Sequence, residues 1–429
     1  MDTSLTGPIA QAGTIALLAA PLAVMLIPPK NARGRRNPRR WLLGPVAVTG
    51  AVAWAIVGGI WFALGVAWRP FPEAVPAAIY VASAVALHAA MLAVVKPLAT
   101  RRRTVAWTLP VALVAVVAAL LQANICYQLY PTVASLDPTT IPDEVAYEDL
   151  KSVGQRDTGV VTTVRLNNSA SGFAAREAHV YLPPAYFDRD RPKLPVIVVV
   201  AGVPGAPAQW FDEGLAGQAL DSFASEHRGR APVVVAVDAN GETFKDTLCV
   251  DSPATGDKVA TYLSRDVPAA VAGLFDVDRD PAKWAIAGLS RGGSCALQTA
   301  VANPGVYPTF LSMSPQKNLI DENLDETVRK YFKGDRAAYD AADPLTVLEK
   351  VGKPGGPERG PDIHGRFIAG LDDAEDRDAG RALSAAAHAA GIPVSYSELP
   401  GGHTWKVWSA GFRDSLPWLS ARLGLTGEG

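Results

Sequence analysis

The sequence predicts a two-part protein. Four membrane-spanning helices precede an α/β domain with a mostly parallel eight-stranded sheet and helices on both faces. Three observations carry this. Charge is divided: residues 1–131 hold eleven basic and two acidic residues, a net of +9, and the remainder holds 29 and 40, a net of −11, although the 429 residues together sum to −2. Four long apolar stretches fill the basic part. After Pro131, short β-branched runs alternate with amphipathic patterns, which is how strands joined by helices read.

The apolar stretches cover residues 9–27, 41–66, 75–95 and 105–123. A spanning helix needs about 20 apolar residues, and none of the stretches carries the polar stripe of a soluble helix. The first lacks the basic lead of a signal peptide, having Asp2 instead. Lys30, Arg33, Arg35, Arg36, Arg39 and Arg40 follow the first stretch; Lys96, Arg101, Arg102 and Arg103 follow the third; the loop between them has only Arg69 beside Glu73. Basic loops stay in the cytoplasm. The expected protein is therefore a multi-pass protein of the cell membrane, with its N-terminus and everything after Gln122 outside the cytoplasm. His88 is the one ionisable residue inside a stretch and reads as a packed, hydrogen-bonded residue. The domains expected are a membrane part over 1–131, a linker over 132–154 and an extracytoplasmic enzyme over 155–429.

In the acidic part, strands are expected at 160–166, 178–182, 196–201, 233–237, 284–287, 309–312, 366–369 and 394–398. The first two have no helix between them and read as an antiparallel edge hairpin. Helices are expected at 210–227, 261–275, 291–303, 377–390 and 409–423. Residues 315–361 lack a strand and read as a small helical cap. The acidic balance makes nucleic acid an unfavourable partner. Three cysteines exclude a disulfide-built scaffold. Neither cysteines nor histidines show metal-ligand spacing, and no cofactor is expected.

Gly288-Leu289-Ser290-Arg291-Gly292 fits G-x-S-x-G, with a strand running in and a small-residue helix running out. A serine on such a turn has its hydroxyl held above the sheet, at a helix N-terminus where negative charge is favoured. A base must activate it. His403, in Pro400-Gly401-Gly402-His403-Thr404-Trp405 after the last strand, is the candidate. An acid should orient the imidazole, and the end of the preceding strand reads Gly370-Leu371-Asp372-Asp373-Ala374-Glu375-Asp376. Asp373 is the expected acid, with Asp372 and Glu375 as alternatives. Two backbone N–H groups should face the developing oxyanion. Arg291 supplies one, and Val203, in Ala201-Gly202-Val203-Pro204-Gly205, supplies the other, since Pro204 has none.

These residues, AGVPG, GLSRGG, the G-x-x-D after a strand and HTWKVW near the C-terminus, resemble the esterase D-like branch of the α/β-hydrolase superfamily. That branch includes the secreted mycolyltransferases. The resemblance covers roughly 155–425 and implies an α/β-hydrolase fold, with Ser290 as nucleophile, Asp373 as acid, His403 as base, and Val203 and Arg291 as oxyanion donors. The acid of the mycolyltransferases is a glutamate, which keeps Glu375 open. Outside the cytoplasm a Cys249–Cys295 disulfide is allowed; it would join the nucleophile helix to a loop near the strand tops. The expected activity is a serine esterase acting through an acyl-enzyme. Its site lies near the membrane, so the substrate is expected to be an ester of an envelope lipid or glycolipid. An acyltransferase of the mycolyltransferase kind is the alternative, and a non-catalytic envelope interaction module is an alternative of another class.

Overall fold

A computed structural model describes residues 4–29, 36–67, 75–99, 105–128, 130, 132–133, 143–189, 193–351 and 363–426. The basic residues Lys30, Arg33, Arg35 and Arg101 to Arg103, the loop with Arg69 and Glu73, much of the linker, and the Gly/Pro-rich end of the cap lie outside these. The chain divides into two compact units, Met1–Asp137 and Pro138–Gly429; the division falls within the segment read as linker.

Among its described residues the first unit has four helices, α1 (Pro8–Leu26), α2 (Pro38–Ala67), α3 (Ala77–Ala99) and α4 (Val105–Tyr127), each long and apolar enough to cross a bilayer. Their outward side chains stay apolar: Leu43, Trp54, Leu113 and Leu120 are all exposed. Small residues line the packed side, where Ala86, Ala89 and Ala115 meet, as expected where helices approach without a hydrophobic driving force between them. His88 is hydrogen-bonded to the Val46 carbonyl at 3.2 Å. The Lys96 ammonium is buried and donates to the Val24 and Met25 carbonyls at 3.0 and 3.3 Å. These are last-turn carbonyls of α1, which lack partners within their own helix.

The second unit contains an eight-stranded sheet: β1 (Val160–Val164), β2 (Ala178–Leu182), β3 (Val196–Val200), β4 (Val233–Val237), β5 (Trp284–Leu289), β6 (Thr309–Met313), β7 (His364–Gly370) and β8 (Val394–Leu399). Its spatial order is β1-β2-β4-β3-β5-β6-β7-β8. The β1–β2 and β2–β4 pairs are antiparallel and the other pairs are parallel. The central strands read as unbroken apolar runs because both faces are covered. Val196, Val198 and Val200 of β3 enter one core, and Ile197 and Val199 enter the other. Helices α5 (Ala216–Glu226) and α12 (Trp405–Arg422) cover the second face; α6 (residues 259–274), α7 (Arg291–Ala302) and α11 (Ala374–Ala389) cover the first. The cap is made of α8 (Leu324–Phe332), α9 (Arg336–Ala342) and α10 (Pro344–Val351). In its own small core, Tyr331, Phe332 and Tyr339 pack against Leu248 and Val250.

Several helix starts differ from the sequence reading. The helix expected from 210 begins at Ala216, because Pro207–Trp210 forms a 3₁₀ turn and Leu215 is left-handed at φ 52°. Helix α11 begins at Ala374 rather than 377, since Asp373 caps it by accepting the Asp376 N–H at 3.1 Å. Helix α12 begins at Trp405 rather than 409. The last two differences place side chains in the site.

Candidate active site

The parallel strands carry their C-terminal ends to one edge of the sheet, where ligands of open α/β sheets bind. Ser290 stands after β5, Gly202 after β3, Asp373 after β7 and His403 after β8. The nucleophile candidate has φ 54° and ψ −125°, a strained conformation costing on the order of 1–3 kcal/mol. Its N–H is held by the Met313 carbonyl at 2.8 Å. The tight turn depends on Gly292: a Cβ there would stand 2.2 Å from the Val200 carbonyl oxygen, so only glycine lets α7 press onto β3.

The structure brings Ser290, His403 and Asp373 together. Nε2 of His403 is 2.8 Å from Ser290 Oγ, and its Nδ1 is 3.1 Å from Asp373 Oδ2. The alternative acids Asp372 and Glu375 both face solvent. A different carboxylate approaches the ring: Asp376 Oδ2 lies 2.5 Å from Nδ1. Asp373 and Asp376 are both buried, at 2% and 6% exposure. Asp373 is the cap and Asp376 lies three residues on, so a helix starting at Ala374 turns both to the same side. The run Asp373-x-x-Asp376 is the signal in the sequence; a helix expected only from 377 leaves Asp376 outside it, whereas the start at Ala374 puts it in the first turn.

Trp408 packs edge-on against the His403 ring, with centroids 4.9 Å apart, and its Nε1 donates to Ser314 Oγ at 3.0 Å. Burial pushes the His403 imidazolium down to about 4, so the ring rests neutral and ready to accept a proton. Burial, helped by Asp373, pushes Asp376 up to about 10.

Val203 and Arg291 sit on the two backbone segments that flank the serine. A Cβ on Gly202 would lie 3.0 Å from Ser290 Cβ, which shows how closely the loop passes. Four hydrogen bonds fix this loop: Asn240 Nδ2 to the Gly202 carbonyl at 3.0 Å, Arg176 Nη2 to the Gly205 carbonyl at 2.8 Å, the Gly205 N–H to the Thr243 carbonyl at 2.9 Å, and the Ala206 N–H to Gln209 Oε1 at 2.9 Å. Asn240 and Arg176 were not legible in the sequence, because each reaches the loop from elsewhere in the fold; Gln209 is local, three residues beyond Ala206 in the 3₁₀ turn that follows the loop. The Arg291 side chain turns away to pair with Asp246 at 2.7 Å.

Gln209 also donates to Glu213 at 3.1 Å, and the Trp405 indole donates to the same carboxyl. Burial raises Glu213 to about 7 and its neighbour Asp212 to about 6. Cys249 and Cys295 form a disulfide with Cα atoms 5.7 Å apart, joining the loop after β4 to α7 one turn beyond Ser290.

Comparison with known proteins adds three findings. The family described as putative esterase matches residues 173–419. An uncharacterized protein of Corynebacterium glutamicum is 34% identical over 396 residues, covering 90% of this chain and 91% of that one. Among solved structures, a ferulic acid esterase superposes with a TM-score of 0.50 at 19% identity, covering 62% of this chain and 99% of that one. The S-formylglutathione hydrolase of Agrobacterium tumefaciens does so with 0.50 at 20% identity, covering 63% and 97%. At such identity the last two speak for the fold.

Proposed function

The chain belongs to the putative esterase family, and on that premise we propose that it is a membrane-anchored serine esterase working from Ser290, His403 and the Asp373 carboxylate. The observation that carries the reading is the 2.8 Å contact between His403 Nε2 and Ser290 Oγ on a strained strand-to-helix turn.

In the first step His403 takes the serine proton and Ser290 attacks an ester carbonyl. The Val203 and Arg291 N–H groups receive the oxyanion. Loss of one such donor costs about 10²–10³ in turnover. Collapse expels the alcohol, which takes the proton back from His403, and leaves an acyl group on Ser290. Water, deprotonated by His403, then attacks the acyl carbonyl; the bond to Ser290 Oγ breaks, the serine takes the proton back from His403, and the acid is released. The imidazolium formed in each step is balanced by the buried carboxylate at Nδ1.

The four apolar helices support membrane anchoring, and the basic loops support an extracytoplasmic active site. An enzyme held there meets esters of envelope lipids and glycolipids at high local concentration, which makes them the proposed substrates.

The test is labelling with a fluorophosphonate, which reacts with activated serines. Wild-type protein is expected to be labelled and to cleave a short nitrophenyl ester, and Ser290→Ala to do neither. Equal labelling of the two sinks the assignment. A periplasm-dependent reporter fused after Tyr130 checks topology: activity is expected if the enzyme lies outside, and its absence overturns the orientation.

A further inference from the structure

Two buried carboxylates meet one imidazole nitrogen. Nδ1 of His403 carries a single N–H, yet Asp376 Oδ2 and Asp373 Oδ2 lie 2.5 and 3.1 Å from it. The donor atoms of the three residues fall within 4.8 Å of one another. Two ionised carboxylates this close and this buried repel, so one holds a proton. An imidazolium formed beside them needs one negative charge, not two, to become a neutral ion pair.

We propose that the acid of this site is a two-carboxylate unit carrying one negative charge, with Asp376 as a positioning residue that holds the unit's one proton and hydrogen-bonds Asp373. The unit rests on the reading of Ser290 and His403 given above. The geometry divides the roles. Asp373 accepts the Asp376 N–H at the start of α11, where a helix N-terminus favours negative charge. Asp376 stands in the first turn of the same helix, where its own N–H is taken up by Asp373, and its carboxyl is hydrogen-bonded to Ser314 and Asp373. Around it are Asp373 from the helix cap and His403 from the loop after β8; Glu375 acts on it only through space, from the solvent side, and the Ser314 hydroxyl comes from the end of β6. Burial and Asp373 favour its neutral form. When Ser290 gives its proton to Nε2, the charge on Asp373 compensates the imidazolium, and the carboxyl proton of Asp376 stays where it is. If Asp373 is removed, Asp376 ionises and takes the same place against Nδ1.

The experiment compares Asp373→Asn, Asp376→Asn and the double variant in the full-length protein in detergent. It follows kcat/KM against pH on a nitrophenyl ester, with thermal unfolding as the folding control. Asp376→Asn is expected to stay within about 10-fold of wild type with an unmoved acid limb, because asparagine resembles the neutral carboxyl. Asp373→Asn is expected to fall about 10-fold, because Asp376 substitutes for it. The double variant is expected to fall by about 10⁴, the loss for a triad histidine whose acid becomes an amide, with its acid limb shifted down by about a unit. A single-acid site gives another pattern: Asp373→Asn alone reaches the full loss and the double variant adds nothing, which overturns the proposal. Loss of wild-type activity on chelation overturns it also, since a metal rather than a proton would then bridge the carboxylates. Ser290→Ala serves as the separate control: if it retains activity, the catalytic reading has failed rather than the carboxylate unit.

Discussion

Arg176 binds the buried Asp238 through two nitrogens, at 2.8 and 3.0 Å, and with Nη2 it also holds the Gly205 carbonyl at 2.8 Å. One guanidinium thus joins the end of β4 to the loop that carries Val203. The planar fork of arginine makes this possible, and a lysine point charge does not reproduce it. Asp238 is 1% exposed. Arg176→Ala is therefore expected to leave an uncompensated buried charge, costing about 2–3 kcal/mol because Arg176 itself is partly exposed. It should also free the loop and lower kcat roughly 10-fold or more. Thermal unfolding and steady-state kinetics check both, and an unchanged kcat in a folded variant removes the loop from the argument.

Gly202→Ala tests how closely the loop passes Ser290. The added methyl would stand 3.0 Å from Ser290 Cβ and 3.4 Å from the Leu289 carbonyl oxygen. Neither neighbour is a flexible side-chain end, so the loop must shift. The shift required is a few tenths of an ångström, less than the misplacement of about 1 Å that can cost about 10²-fold. A fall in kcat of up to about 10-fold, with little change in unfolding temperature, is the expected result.

The pH profile should show the depressed histidine. Burial lowers His403 to about 4, so the neutral base persists well below the ordinary histidine range near 6.5. The acid limb of kcat/KM is expected clearly below pH 6. An inflection at 6.5 or above would mean that the ring is not desolvated as described.

Glu213 gives a stability signal of known sign. Its folded pKa is raised to about 7 by burial, above the unfolded carboxylate value, so the native state binds the extra proton. Its contribution is fully present below about pH 4 and is lost as pH rises through 7. Glu213→Gln keeps one acceptor oxygen facing Gln209 and Trp405 but cannot titrate. The fall in unfolding temperature between pH 5 and 7.5 should become shallower in this variant. An identical slope contradicts the assignment.

Reduction of Cys249–Cys295 should loosen the start of α7. The bridge spans 46 residues, and a disulfide of this kind contributes about 2–4 kcal/mol, largely by restricting the unfolded chain. Cys295→Ser is expected to unfold at lower temperature by several degrees and to become insensitive to reductant. A wild-type protein equally insensitive to reductant would show that the bridge does not form.

The element types were legible because their cause is local. Runs such as Val196-Ile197-Val198-Val199-Val200 have only one buried use in an α/β sheet, and the glycines around Ser290 fit a turn only glycine permits. The apolar stretches of the first unit and the order serine, acid, histidine follow from the chain alone. The acid was not so determined. Asp372, Asp373, Glu375 and Asp376 lie within five residues, where the periodicity changes from that of a strand to that of a helix, and a shift of the start by three residues changes which side chains face inward. The start at Ala374 turns Asp373 and Asp376 to His403 and leaves Asp372 and Glu375 in solvent. The clamp from Arg176 was beyond sequence reasoning for a related reason: 29 residues separate it from Gly205, and only the pairing of β2 with β4 brings its chain to that loop. The sequence thus determined which chemistry this chain carries. The tertiary structure decided which carboxylates meet His403, because contact between side chains depends on where a helix begins and which strands pair.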